Sequence, residues 1–169
     1  MNDKIKRFIR VDHAGEYGAE RIYSGQLAVL GRGPHAETLH HMRDQEVHHL
    51  ETFSRLIVAR RVRPTVMLPF WHVAGFVLGA VTAAMGVKAA MACTVAVEET
   101  IDEHYAAQQA TLDADEAPLN ETIERFRLEE LEHRDIGIEN GALQAPAYRL
   151  LTAVIKVGCK AAIKISERV

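Results

Sequence analysis

The sequence predicts an all-α fold, a four-helix bundle, and three observations carry that expectation. Its long segments are rich in Ala, Leu, Glu, Arg and Gln and show no strand-like alternation of apolar and polar residues. Its five prolines, Pro34, Pro64, Pro69, Pro118 and Pro146, all fall in or beside breaks between those segments. One pattern also occurs twice: Glu16, Tyr23, Arg43, Glu46 and His49, then Glu98, Tyr105, Arg127, Glu130 and His133. Four carboxylates and two imidazoles in this order are the ligand set of a carboxylate-bridged two-metal site held inside such a bundle.

The first helix is expected over residues 3–30, ended by Gly31-Arg32-Gly33-Pro34. The second covers 35–61 and stops in the stretch from Arg61 to Pro69, where Pro64 and Pro69 forbid a continuous helix. A long third segment, 70–111, ends between Asp113 and Pro118; a fourth, 119–140, ends between Asn140 and Pro146; a fifth covers 147–167. With 169 residues, 48% of them hydrophobic, the chain reads as one domain, 1–169, with a core of its own. Within it the internal repeat spans 3–61 and 70–140, and the last segment is an additional C-terminal amphipathic helix.

Helix geometry tests whether the repeat can close into a site. If the first two helices turn near Arg32, the residue level with Glu16 lies near position 48, which Glu46 and His49 bracket. Glu98 and Glu130 have their midpoint at Ala114, inside the Asp113-Ala114-Asp115 break, so the second half gives the same answer independently. Within Glu-x-x-His, the i, i+3 spacing leaves the side chains about 60° apart around the helix and about 4.5 Å apart along it, close enough to hold one metal. A third match, Glu37-Thr38-Leu39-His40, sits one turn after Pro34, roughly 15 Å along the axis from the level of Glu16, and reads as a solvated first turn.

Four carboxylates converging in an interior repel one another, whereas two divalent ions bring four positive charges against four negative ones. Oxygen and imidazole donors without thiolate suit iron or manganese. The expected arrangement has Glu16 and His49 as terminal ligands of one ion, Glu98 and His133 as terminal ligands of the other, and Glu46 and Glu130 as bridges. Asp12, one turn before Glu16, and Asp102, one turn after Glu98, are placed to accept the remaining ring N–H of a ligand histidine, or else are surface carboxylates. Tyr23 and Tyr105 read as core tyrosines hydrogen-bonded to a carboxylate, with a redox role as the alternative. His104 has no counterpart in the first half, where Ile22 stands, and is a candidate for redox or proton transfer. His35, His40, His41 and His48 read as solvated.

A net charge of -3 shows no basic excess of the kind that neutralises a nucleic-acid backbone, so nucleic acid is not an expected partner. Cys93 and Cys159 stand too far apart in sequence to form a Cys-x-x-Cys, and a reducing compartment is the default. Met1 is followed by the charged stretch Asp3-Lys4-Ile5-Lys6-Arg7 with no apolar signal core, which reads as a bacterial cytoplasmic-side protein or a mature organellar form. Residues 70–87 are almost uninterruptedly apolar or small, broken by His72. They are just about long enough for a bilayer core of about 30 Å but only mildly hydrophobic. Placed on the same predicted helix as Glu98, they read either as a buried bundle helix or as an interfacial helix with a groove for an isoprenoid tail. Lys156, Lys160, Lys164 and Arg168, beside Leu150, Leu151, Val154, Ile155 and Ile163, make the last helix basic and amphipathic. It is suited either to anionic lipid or to packing with a solvated lysine stripe.

Four strings carry a family resemblance: Arg10-Val11-Asp12-His13-Ala14-Gly15-Glu16-Tyr17-Gly18-Ala19, Asp44-Gln45-Glu46-Val47-His48-His49, Ala92-Cys93-Thr94-Val95-Ala96-Val97-Glu98-Glu99 and Glu129-Glu130-Leu131-Glu132-His133. With them the chain resembles the demethoxyubiquinone hydroxylases, ferritin-like di-iron monooxygenases of ubiquinone biosynthesis. The likeness covers nearly the whole chain, and all six ligand positions match. It implies two iron ions, ferrous when reduced, dioxygen as co-substrate and a polyprenylated demethoxyquinone hydroxylated at its unsubstituted ring carbon. It further implies a nicotinamide reductant as ultimate electron source, partner proteins of ubiquinone biosynthesis, and peripheral attachment to the cytoplasmic face of a bacterial membrane or the matrix face of the inner mitochondrial membrane. Two other classes stay open at this stage: a ferritin- or rubrerythrin-like iron oxidase or peroxidase, and a non-enzymatic helical protein of the membrane surface.

Overall fold

The computed structural model describes residues 2–169; Met1 lies outside them. Among the described residues six α-helices follow one another: α1 (Asp3–Leu30), α2 (Ala36–Ala59), α3 (Leu68–Ala84), α4 (Val87–Gln109), α5 (Ala117–Glu139) and α6 (Tyr148–Ser166). Single 3-10 turns, Ala114–Glu116 and Ala142–Gln144, lead into and out of α5. α1 pairs with α2 and α4 with α5, and these four enclose the centre, while α3 lies along α1 and α6 along α4.

α1 begins where the Asn2 side chain accepts the Lys4 backbone N–H at 3.0 Å. Its buried residues include Ile5, Ile9, Asp12, Glu16, Ala19, Tyr23 and Gln26, alternate steps of four and three that form one stripe. The stripe is apolar toward the helix start and polar from Asp12 to Glu16, so the sequence marks which level of the bundle is chemical. One apolar cluster joins Ile5, Ile9, Phe53, Ile57, Ile123 and Phe126; another joins Leu39, Met42, Met91, Val95 and Ala142. Phe126 stacks on the His49 ring with centroids 3.9 Å apart and meets Phe53 edge-on at 5.7 Å. Truncating it to alanine removes a fully buried ring, an expected loss of about 3–5 kcal/mol and roughly 6–20 °C in melting temperature. A thermal scan of Phe126→Ala checks this, and a shift under about 2 °C would contradict the close packing on His49.

The expectation of one helix over 70–111 is corrected: Met85 and Gly86 separate α3 from α4. Gly86 has φ 111°, a conformation closed to side-chain-bearing residues, although a Cβ there would meet nothing. In a run already rich in Ala and Gly, composition does not distinguish the glycine that turns the chain from those that stay helical. Gly75 and Gly79 are of the second kind. A Cβ on Gly79 would lie 1.9 Å from the Ile22 carbonyl oxygen, and one on Gly25 of α1 would lie 2.1 Å from that of Phe76. α1 and α3 therefore meet backbone to backbone, which small residues alone permit.

The break also overturns the reading of 70–87 as a buried helix shared with Glu98. α3 buries Gly75, Gly79, Thr82 and Ala83, whereas Phe70, Val73, Val77 and Val81 are 50 to 59% exposed. At 17 residues it is about 25 Å long, and among the described residues no helix is long and apolar enough to cross a membrane. α6 departs from expectation in its lysines. Lys156 pairs with Glu99 at 2.5 Å and Lys160 with Glu103 at 2.8 Å, so this end of the stripe lies along α4, while Lys160, Lys164 and Arg168 are exposed. Ile155, expected on the open apolar surface, is buried, and the exposed face carries Leu150, Val154 and Val157.

Candidate metal centre

Glu16 on α1, Glu46 and His49 on α2, Glu98 on α4, and Glu130 and His133 on α5 meet at mid-bundle, none more than 1% exposed. They form two overlapping groups, Glu16, Glu46, His49 and Glu130, and Glu46, Glu98, Glu130 and His133, with one donor atom from each residue within 4.8 Å of the others. Glu46 and Glu130 belong to both groups. Nδ1 of His49 lies 3.3 Å from Glu16 Oε2 and 3.1 Å from Glu130 Oε1; Nδ1 of His133 lies 3.2 Å from Glu46 Oε1 and 3.3 Å from Glu130 Oε2.

The outer edges of these side chains are tied and the inner edges are not. Tyr23 donates to Glu98 Oε1 at 2.6 Å, and Tyr105 donates to Glu16 Oε1, so each tyrosine holds a glutamate of the other half. Nε2 of His49 lies 2.6 Å from Glu129 Oε2, and Nε2 of His133 lies 2.9 Å from Gln45 Oε1. An N–H donated outward leaves the Nδ1 lone pair directed inward. Both oxygens of Glu46 and of Glu130, one oxygen each of Glu16 and Glu98, and Nδ1 of both histidines are buried without a hydrogen-bond partner. Buried polar atoms are almost always satisfied, and these are donor atoms aimed at common points. Two unpartnered oxygens on each shared glutamate and one on each outer glutamate are consistent with a carboxylate-bridged two-metal site.

Electrostatics points the same way. Burial drives the Glu46 and Glu98 carboxyls well above the usual range, and the neighbouring Glu130 charge adds to it. Burial would raise Glu130 too, but the close approach of the His133 and His49 imidazoles outweighs it and pulls the group down to about 2. Burial opposes charge on His49, yet Glu130 and Glu16 push it up to about 12. His133 is raised as well, chiefly by Glu130 once its own burial is overcome. Tyr23 and Tyr105 are pushed well above 10 by burial and by the glutamates they face, so they stay hydrogen-bond donors.

These shifts set an expected result for chelator-stripped protein. Glu46, Glu98, His49 and His133 all have raised values when folded, so the stability they contribute is full at low pH and is lost as pH rises through those values. Glu130 has the opposite sign, but its window, from 4.5 down to about 2, lies at lower pH. Stripped protein should therefore melt lower at about pH 8 than at about pH 6, and adding divalent metal should raise and flatten the profile. Identical profiles with and without metal would contradict cation binding at this cluster.

The expected outer partners are corrected. Asp12 is buried, accepts from Gln108 at 2.6 Å and lies 3.3 Å from His104 Nε2, while Asp102 pairs with Arg127 at 2.6 Å; neither holds a site histidine. The residues that do, Gln45 and Glu129, stand immediately before the shared glutamates in the two copies of the repeat, a correspondence that was available in the sequence. The repeat's arginines also behave alike, Arg43 pairing with Glu20 at 3.2 Å as Arg127 does with Asp102. His104 lies beside Tyr105 and binds Gln108 at 2.8 Å, outside the two groups. Glu37, His40, His41 and His48 are exposed as expected, but His35 is half-buried and meets Asn140 Oδ1 at 3.1 Å.

Beside the centre, α1, α3, α4 and α6 surround an apolar cavity of about 510 Å3, lined by residues including Ile22, Trp71, Leu78, Ile101, Ile155 and Cys159. Trp71 donates its indole N–H to Ser166 at 3.1 Å, bridging α3 and the end of α6, and both residues line this space. Cys93 and Cys159 are both free thiols.

Comparison with known proteins places this architecture. Residues 3–166 match the family described as ubiquinone biosynthesis protein COQ7. The 3-demethoxyubiquinol 3-hydroxylase of Rhodospirillum rubrum is 61% identical over 166 residues, covering 98% of this chain and 78% of that protein. The NADPH-dependent 3-demethoxyubiquinone 3-hydroxylase, mitochondrial, of Bos taurus is 56% identical over 170 residues, with 98% and 78% covered. At greater distance, the 5-demethoxyubiquinone hydroxylase, mitochondrial, of Saccharomyces cerevisiae is 43% identical over 182 residues, again with 98% and 78% covered. A duplicated buried glutamate and histidine centre in an all-helical chain, matched over almost all its length, makes this chain a member of the COQ7 family of ubiquinone biosynthesis proteins.

Proposed function

We propose that this protein is a demethoxyubiquinone hydroxylase whose centre would hold two iron ions, one among Glu16, Glu46, His49 and Glu130 and the other among Glu46, Glu98, Glu130 and His133. The observation that carries the metal reading is the set of eight buried donor atoms without partners. Bound there, the irons supply the activation of dioxygen needed to add one oxygen atom to the quinone ring. The chain's own residues do the rest. Tyr23 and Tyr105 fix the outer glutamates, Glu129 and Gln45 fix the imidazoles, and Phe126 and Phe53 keep water from one side of the centre.

The apolar cavity beside α1 and α4 is the site proposed for the quinone and its isoprenoid tail. The exposed apolar faces of α3 (Phe70, Val73, Val77, Val81) and α6 (Leu150, Val154, Val157) support attachment to a membrane surface, where such a substrate resides. The Bos taurus relative is named as NADPH-dependent, which supports a nicotinamide as the ultimate electron source here, and the Bos taurus and Saccharomyces cerevisiae relatives are named as mitochondrial. Cells lacking the gene should accumulate a demethoxyquinone in their lipid extract, and normal ubiquinone there would refute the substrate. Oxygen consumption that depends on added quinone separates this reading from iron storage.

A further inference from the structure

The two halves of the centre differ in the contact that each histidine makes at its outer nitrogen. Glu129 and Gln45 occupy equivalent places, each directly before a shared glutamate and each reaching across to the histidine of the facing helix. One is a carboxylate and the other a neutral amide. The contacts also differ in length: 2.6 Å from His49 Nε2 to the Glu129 carboxylate and 2.9 Å from His133 Nε2 to the Gln45 amide oxygen. The charge of Glu129 is not spent elsewhere. Glu20 and Asp102 have Arg43 and Arg127 as partners, but among the described residues no lysine or arginine pairs with Glu129.

We infer that Glu129 makes the two metal positions unequal, the position at Glu16 and His49 binding its ion more tightly than the one at Glu98 and His133. This rests on the two-metal reading above. A carboxylate accepting the imidazole N–H enriches the ring as a donor, and its negative charge lies nearer one ion than the other. An amide in the same place orients the ring without either effect. Glu129 is thus a positioning residue that also grades the centre, and the first equivalent of metal goes to the His49 side.

Anaerobic titration of the full-length chain with Fe(II), followed by competition with a chromophoric chelator, tests this. Wild type should take up two equivalents in two steps separated on the order of tenfold. Glu129→Gln keeps the hydrogen bond and the shape but removes the charge. It should weaken the tight step on the order of tenfold and bring the two steps together. Gln45→Glu should tighten the weak step instead. A role confined to holding the ring would leave both steps where they are in Glu129→Gln, and that result, or weakening of the loose step, overturns the inference while two equivalents still bind. Uptake of a single equivalent by wild type overturns the two-metal reading along with it. The side chain of Glu129 is 27% exposed, so an isosteric change there spares the core.

Discussion

Glu130→Ala is expected to empty both metal positions together and to reduce quinone hydroxylation by more than about a hundredfold, since even the outer partners of metal ligands typically cost 10–100-fold. Glu130 belongs to both donor groups, and both its oxygens are buried and unpartnered. Its removal also takes away the group that lies closest to Nδ1 of His49. Glu98→Ala or His133→Ala should be milder in one respect, abolishing two-iron loading while one ion remains on the Glu16 and His49 side. In all three variants the helices should persist, because the apolar clusters lie to either side of the centre. Metal analysis with circular dichroism reads both features. Two ions retained in Glu130→Ala would show that this carboxylate is not shared.

Gly79→Leu is expected to reduce turnover by a different route, with metal content intact. A Cβ at this position would come within 1.9 Å of the Ile22 carbonyl oxygen, a backbone atom that cannot rotate away. α3 must then move off α1, and with it Trp71, Ala74, Gly75 and Leu78, which form one wall of the apolar cavity. Overpacking of this kind costs about 1–3 kcal/mol where a core can adjust, and the rigid backbone contact puts this site at the upper end. Hydroxylation of a long-tailed quinone should fall at least about tenfold, since misplacement by about 1 Å can cost a hundredfold. Two irons per chain should still be found. Unchanged turnover would mean that the α1–α3 groove does not hold the substrate.

The sequence made much of this legible because the chemistry is repeated. Glu46-x-x-His49 and Glu130-x-x-His133 could be placed level with Glu16 and Glu98 by rise per residue alone, and the structure brings those six side chains together. The remainder depended on facts that spacing does not encode. Gly86 turns the chain through its torsion angle, and nothing in an Ala- and Gly-rich run distinguishes it from Gly75 or Gly79, which are helical and small for the sake of contact with α1. The ion pairs of Lys156 and Lys160 were not legible because their partners, Glu99 and Glu103, lie on another helix. Asp12 and Asp102 were well spaced to support the histidines, but His104, Gln108 and Arg127 claim them first. Gln45 and Glu129 could have been found by asking which residues besides the ligands recur at matched positions.

Iron content set against turnover addresses the two-ion centre most directly. With the purified chain loaded anaerobically to graded levels of Fe(II) and supplied with quinone, reductant and oxygen, product formation should approach its maximum only as iron approaches two atoms per chain. Full turnover reached at one atom per chain would contradict it.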